Sequence, residues 1–312
     1  RGNYYEIAAQ AASSGFNYFA GQYFLGGKPD KCKGRPSPIE IARQAGYTTY
    51  CDREGLEKIT PGDDKIVWEA EIPFVVQQDA DHVTLADLTR KGIEVLDNDR
   101  GFFMMVEGGK IDWAGHANDL ASNIKETLDF DAAIRIVYDF YQAHPEETLI
   151  VVTGDHECGG MKTAFRGGFS RDRFMAAVKA QKVSGKEFAT QVETWKKQGT
   201  LKENVLKHIA EDFGITDLSP AERDDLEKVI AFAQKDDSVD TRPEELKKMY
   251  GGKNMIFNAC QTIIARRCGV TWTSFNHTGA PVATSAIGVG AESFGGQTDN
   301  TDIANKLRAL LP

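Results

Sequence analysis

The chain has 312 residues, 41% of them hydrophobic and 27% charged, the composition of a globular protein with enough sequence for one large core or two small ones. No apolar run approaches the ~20 residues that cross a bilayer. A net charge of -9 excludes a nucleic-acid backbone binder, which needs clustered Lys and Arg, but leaves room for a small anionic substrate wherever a metal ion sets the local field. The first residue is Arg1, without an initiator Met, signal or transit segment, so the sequence reads as a processed or truncated chain. Five cysteines, an odd number, leave at least one unpaired within the chain, and none falls in a Cys-x-x-Cys zinc pattern. Cys32 and Cys51 bracket a loop-rich segment and could pair. Cys260 and Cys268, if on one helix, stand ~12 Å apart, too far for a bridge.

In chain order, Asn3 to Ser13 is Ala-rich and helical, and Phe16 to Gly21 reads as a short strand. Lys28 to Ser37 is a loop, Ile39 to Ala45 a helix, and Tyr47 to Tyr50 a strand after the Gly46 stop. Ile72 to Val76 reads as a further strand. Thr84 is placed as the N-cap of a helix running to about Leu96, with Leu85, Leu88, Ile93 and Leu96 as its apolar stripe. The apolar run Phe102 to Val106 reads as a buried strand. A long helix over Ala117 to Ala143 follows, and then a strand at Leu149 to Val152. Strand, helix, strand in this order favours a right-handed parallel crossover.

From about Lys162 to Gly252 the character turns to amphipathic helices, clearest at Val192 to Ile209 and Pro220 to Gln234. Asn254 to Arg267 is an apolar helix, Val270–Phe275 and Ala283–Val289 are β-like, and Asn300 to Leu311 closes the chain as a helix. No internal repeat is present.

Six histidines are candidates for chemistry. His82, His144 and His208 sit among polar neighbours and read as surface residues. His116 follows Asp112 at i+4, which on a helical turn puts both side chains on one side. His156 directly follows Asp155 at the end of an apolar run, and His277 stands at the mouth of a β-like piece. Carboxylate and neutral imidazole together suit zinc. One such pair is weak evidence, but three clusters at strand ends point to a metal centre.

These segments resemble the alkaline phosphatase family. Glu107-Gly108-Gly109-Lys110-Ile111-Asp112-Trp113-Ala114-Gly115-His116 is similar to one of its metal-binding segments, Thr153-Gly154-Asp155-His156-Glu157 to a second, and His277-Thr278-Gly279-Ala280-Pro281-Val282 to a third. Gly288 to Phe294, with Asp299-Asn300-Thr301 beyond, extends the likeness towards the end of the chain. The resemblance implies a three-layer α/β/α sandwich with a mostly parallel central sheet, truncated at the N-terminus. It implies a single domain over 1–312 carrying a helical insertion at about 162–252. Asp112, His116 and His277 would bind a first zinc, Asp155 and His156 a second, and Glu107 a magnesium.

The implied reaction is hydrolysis of phosphate monoesters by a two-zinc, phosphoserine route, with inorganic phosphate as product. The nucleophilic serine is expected to be absent from this chain, which would then show little turnover alone. Arg1 aligns with the arginine that clamps phosphate, bidentate recognition that guanidinium geometry suits. Trp113 stands where many members carry Lys or His and offers phosphate a single N–H. Cys158, two residues past His156, reads as a small residue behind the ligands rather than as one of them. The family further implies a homodimer in the periplasm or secreted. The alternatives are a related phosphodiesterase, sulfatase or phosphoglycerate mutase, or a non-catalytic zinc-binding fragment that complements a separate N-terminal chain.

Overall fold

The computed structural model describes residues 2–163, 170–234, 244–251 and 254–311, and the chain folds as two compact units. Arg1 lies outside the described residues. The first unit comprises 1–73, 78–108 and 128–144; the second comprises 74–77, 109–127 and 145–312.

The first unit is built on α1 (Tyr4–Ser13), β1 (Tyr18–Gln22), α2 (Pro29–Cys32), α3 (Pro38–Gln44), β2 (Thr48–Tyr50), α4 (Arg53–Glu57), β3 (Ile66–Ala70) and α5 (Leu85–Leu96). The three strands form a parallel sheet in the order β1-β3-β2, with Tyr18 and Thr48 both in register with Ile66. Ile66, Val67 and Trp68 in the central strand are each 1% exposed. Ile66 and Trp68 face Leu88 and Val95 of α5, while Val67 faces Ala12 of α1, Ala42 of α3 and Tyr47. Helices therefore cover both faces of this sheet, as parallel sheets require. That also explains why the sequence pattern misplaces this strand at Ile72 to Val76. A strand buried on both faces shows no alternation, and the predicted stretch contains Pro73, which lacks an N–H for a ladder. Residues Val75–Gln77 instead form a short 3-10 turn whose Val75 N–H donates to Glu126 Oε1 at 2.7 Å.

Capping fixes the helix starts. Ser37 and Glu40 form a capping box at α3, with Pro38 as the first helical residue, and Thr84 and Asp87 form one at α5, where Thr84 is the expected cap. The Phe102 to Val106 run forms no strand and pairs with none among the described residues. Phe103 and Met105 are 60% and 71% exposed, whereas Met104 lies against Gly92 of α5. An apolar run alone does not make a strand, because the ladder needs a neighbour.

The second unit begins with α6 (Lys110–His116) and α7 (Leu120–Ala143), the latter running on into the first unit. It continues with β4 (Leu149–Val152), β5 (Glu157–Cys158), β6 (Lys162–Thr163), α8 (Arg171–Ala180), α9 (Gly185–Gln198), α10 (Leu201–Phe213), α11 (Pro220–Ala233), α12 (Glu244–Tyr250) and α13 (Met255–Arg267). The remainder is β7 (Val270–Thr271), β8 (His277–Thr278), β9 (Ser285–Gly288) and α14 (Asn300–Leu310). The strands pair antiparallel as β4-β9, β5-β8 and β6-β7. Among the described residues β4 pairs with β9 alone, antiparallel, and not in the expected parallel crossover.

The expected helical stretch is present as α8 to α12, but Val192 to Ile209 is two helices, because Gly199 ends α9 in a left-handed conformation (φ 71°). Their apolar faces build one core in which Phe188, Phe213 and Phe257 lie 1–2% exposed or less, with Trp195 edge-on to Phe188 at 5.7 Å. All five cysteines are free thiols, and the possible Cys32–Cys51 pair is not formed, since Cys32 is buried and Cys51 exposed. Among the described residues no helix is long and apolar enough to cross a membrane.

Candidate metal centre

The centre is assembled in the second unit from α6, β5 and β8. On α6, Asp112 and His116 lie one helical turn apart, as their spacing requires. The helix stops at Asn118, which takes a left-handed φ of 50°, and Asp119 then caps α7 by accepting from Ser122 N–H at 3.1 Å and Ser122 Oγ at 2.7 Å. Gln181 Nε2 donates to the same Asp119 carboxylate at 2.7 Å, and Gln261 Nε2 donates to Gln181 Oε1 at 2.8 Å. Burial pushes the Asp119 carboxyl above the usual carboxylate range against these donors. This buried network fixes the C-terminal end of α6, and so the helix that carries two of the candidate ligands.

β5 and β8 bring the third. Their register sets Cys158 opposite His277 and Glu157 opposite Thr278. Glu157 is occupied on its own face: Thr278 Oγ1 donates to one carboxylate oxygen and Gly160 N–H to the other at 2.8 Å. The Gly159-Gly160 turn after β5 holds the loop before His277, with Thr273 and Ser274 N–H both donating to Gly159 O and Gly159 N–H donating to Asn276 O, at 3.0–3.1 Å. Phe275 O lies 2.7 Å from His116 Nδ1. A carbonyl can only accept, so Nδ1 carries the proton and the Nε2 lone pair of neutral His116 faces into the centre.

Here His116 Nε2 and His277 Nε2 are 3.1 Å apart, and Asp112 Oδ1 is 3.6 Å from each. Ligand atoms ~2.0–2.1 Å from one tetrahedral zinc would stand ~3.3 Å from one another, so these three already lie on the edges of such a polyhedron. Asp112 Oδ1 is buried and has no hydrogen-bond partner, a cost that a bound cation would remove. The donor set and its spacing fit a zinc-like ion. Cys158 joins the same group, with one ligand atom from each of Asp112, His116, Cys158 and His277 all within 4.8 Å of one another. Burial, reinforced by the Asp112 carboxylate, pushes the metal-free Cys158 thiol up to about 12.

The other expected residues stand differently. His156 stacks on His277 with ring centroids 3.5 Å apart at 21°, and its buried Nδ1 has no hydrogen-bond partner. The Asp155 side chain is 84% exposed and turned to its neighbour, with Oδ2 3.3 Å from His156 Nε2. The pair therefore borders the three converging ligands without joining them. Trp113 on α6 is 42% exposed and packs at 6.5 Å on Phe74. Glu107 is an exposed residue of the first unit. Sequence reasoning missed the place of Cys158 in the cluster and the Phe275 carbonyl that sets the His116 ring. The first had a signal, since His156 and Cys158 are two apart next to a strand and share a face. The second had none, because any residue has a carbonyl.

A family model described as alkaline phosphatase matches residues 31–312. The chain belongs to the alkaline phosphatase family. It is similar to alkaline phosphatase 3 of Bacillus subtilis, 31% identical over 290 residues that cover 91% of this chain and 57% of that relative. The repressible alkaline phosphatase of Saccharomyces cerevisiae is 29% identical over 269 residues, 78% of this chain and 44% of the relative. Among solved structures, the cold-active alkaline phosphatase of Shewanella sp. superposes with a TM-score of 0.74 at 29% identity, covering 100% of this chain and 69% of that one. The Thermus thermophilus alkaline phosphatase gives 0.71 at 20% identity over 92% of this chain and 60% of that one, a likeness of fold. These neighbours agree with the α/β class read from the sequence. The chain spans about half the length of the curated relatives it matches.

Proposed function

We propose that this chain carries the metal centre of a phosphate monoester hydrolase. The observation that supports this most strongly is the convergence of Asp112, His116 and His277 from two parts of the sequence onto one point, with a buried, unpartnered carboxylate oxygen among them. In this reading those three hold a first zinc, Asp155 and His156 hold a second, and Glu107 holds a magnesium. Two zinc ions supply positive charge at both ends of an in-line displacement at phosphorus.

The rest is done by the chain. His116 is held in one tautomer by Phe275 O, so its Nε2 stays a ligand and does not act as an acid. Asp112 supplies a negative charge that offsets part of the metal's and stays dry on one oxygen. Trp113, partly exposed on the same helix, offers one N–H donor to a phosphate oxygen, and Arg1 is read as the bidentate phosphate ligand. A point mutant of the TAB5 alkaline phosphatase, of similar fold with a TM-score of 0.57 at 20% identity, was solved with magnesium bound. Kinship also underlies the reading of a single family domain, a homodimer and a periplasmic or secreted protein.

The test is hydrolysis of p-nitrophenyl phosphate, bis-p-nitrophenyl phosphate and p-nitrophenyl sulfate by the protein with zinc and magnesium. A preference for the monoester that is abolished by chelation and restored by zinc is expected. Equal or faster turnover of the diester or the sulfate would replace this reading with that of a phosphodiesterase or sulfatase.

A further inference from the structure

We infer that Cys158 is a fourth, thiolate ligand of the first metal site. This rests on the reading of Asp112, His116 and His277 as a metal centre, and extends it to a residue that the sequence pattern set behind the ligands. Three features place the thiol. The β5-β8 register puts Cys158 directly across from His277, so both side chains leave the same face of the ladder. Gly115, between the two α6 ligands, then lets the helix press onto Cys158: a Cβ at Gly115 would lie 3.1 Å from Cys158 Cβ and 3.3 Å from its Sγ. With no side chain in the way, the helix ligands and the sulfur share one centre, all four donor atoms lying within 4.8 Å of one another.

A tetrahedral ion with ~2.3 Å to sulfur and ~2.0 Å to nitrogen sets an S···N edge of ~3.5 Å. The longest separation in the cluster, 4.8 Å at most, therefore closes by no more than ~1.3 Å, a change within the reach of a single side-chain torsion. On binding, the S–H bond breaks, the proton passes to solvent, and a sulfur–metal bond forms with no change of oxidation state. The cation supplies what burial opposes, since a coordinating thiol is deprotonated outright. The resulting N₂OS set favours zinc, cobalt or cadmium over magnesium, and a substrate oxygen would enter such a site as a fifth ligand. It also gives the centre one oxidisable donor.

Cobalt(II) distinguishes a coordinating thiolate from a thiol that only packs against Gly115. The chain freed of metal and titrated with cobalt(II) is expected to show visible d–d bands together with an intense near-ultraviolet sulfur-to-cobalt charge-transfer band. Cys158→Ser is expected to keep the visible bands and lose the ultraviolet one. Visible bands without the ultraviolet band in the unmutated chain would overturn the inference and leave the three-ligand reading standing. An ultraviolet band that persists in Cys158→Ser would overturn it too, since another cysteine would be its source. No visible bands in the unmutated chain would overturn the metal reading itself, and this inference with it. If the variant takes up no cobalt, alkylation of the unmutated chain by iodoacetamide decides. Cobalt must protect Cys158 while the exposed Cys51 reacts as before, and equal labelling of Cys158 with and without cobalt refutes the assignment.

Discussion

Replacing Gly159 by Ala strikes the turn that joins the parts of the metal centre. Gly159 has a φ of +85°, and an added Cβ would stand 2.7 Å from the Trp272 ring and 2.8 Å from Gly115 O. The left-handed backbone costs a non-glycine residue ~1–2 kcal/mol. The overlap adds ~1–3 kcal/mol, because one of the obstructing atoms is a backbone carbonyl that cannot rotate away. Gly159→Ala is therefore expected to lose ~2–5 kcal/mol of unfolding free energy.

Gly199→Ala is the control. Its φ is +71°, but an added Cβ meets nothing within 4 Å, so only the backbone cost of ~1–2 kcal/mol applies. Relief of the Gly159→Ala clash requires α6 to move away from β5 or the 272–278 loop to shift, and either motion separates Asp112 and His116 from His277. Urea unfolding and chelator-competition titration of zinc should both show the difference. Gly159→Ala should be the less stable variant and the weaker zinc binder, and Gly199→Ala should bind zinc as the unmutated chain does. Equal stability and equal zinc affinity of the two variants would refute the reasoning.

Asp112→Asn keeps the shape and removes the charge at the buried, unpartnered oxygen. Zinc affinity should fall by at least ~100-fold, the upper end of what is lost when only a hydrogen bond supporting a ligand is removed, and an unchanged titration would exclude Asp112 as a ligand. Glu222 accepts from Arg267 Nε and Nη2 at 2.9 and 2.7 Å, and this guanidinium above all holds its carboxyl down at about 2. A carboxylate lowered on folding stabilises above its unfolded pKa and loses that contribution as pH falls from the ordinary carboxylate range towards 2. Both side chains are partly open to solvent, so ~1 kcal/mol is expected. The stability gap between the unmutated chain and Arg267→Ala, followed by urea unfolding, should narrow between about pH 6 and about pH 2, and a gap independent of pH would contradict the pairing. Phe188→Ala removes a fully buried ring that packs edge-on against Trp195 and Phe213 and tilted against Phe257, and should cost ~3–5 kcal/mol in thermal or urea unfolding, a loss that a surface position would not show.

The parts of the fold legible in the sequence were those with local causes. Thr84 announces α5 through its capping box, and Pro220 with Ser219 announces α11 in the same way. Asp112 and His116 were legible because a helical turn fixes their relation, and His277 because its segment carries a family pattern. What was hidden depends on partners. Ile66-Val67-Trp68 shows no alternation because both its faces are covered, so the reading slid to Ile72 to Val76. Phe102 to Val106 has the composition of a strand and no paired neighbour among the described residues. The place of Cys158 beside the ligands depends on the β5-β8 register and on the missing side chain of Gly115, neither of which local sequence displays.

The central claim is that Asp112, His116 and His277 bind one metal ion. A crystal of the protein grown with zinc, measured on both sides of the zinc absorption edge, tests it directly. The account predicts a strong anomalous peak ~2.0–2.1 Å from Asp112 Oδ1, His116 Nε2 and His277 Nε2 together. No peak there, or a peak whose nearest donors omit any of the three, would contradict it.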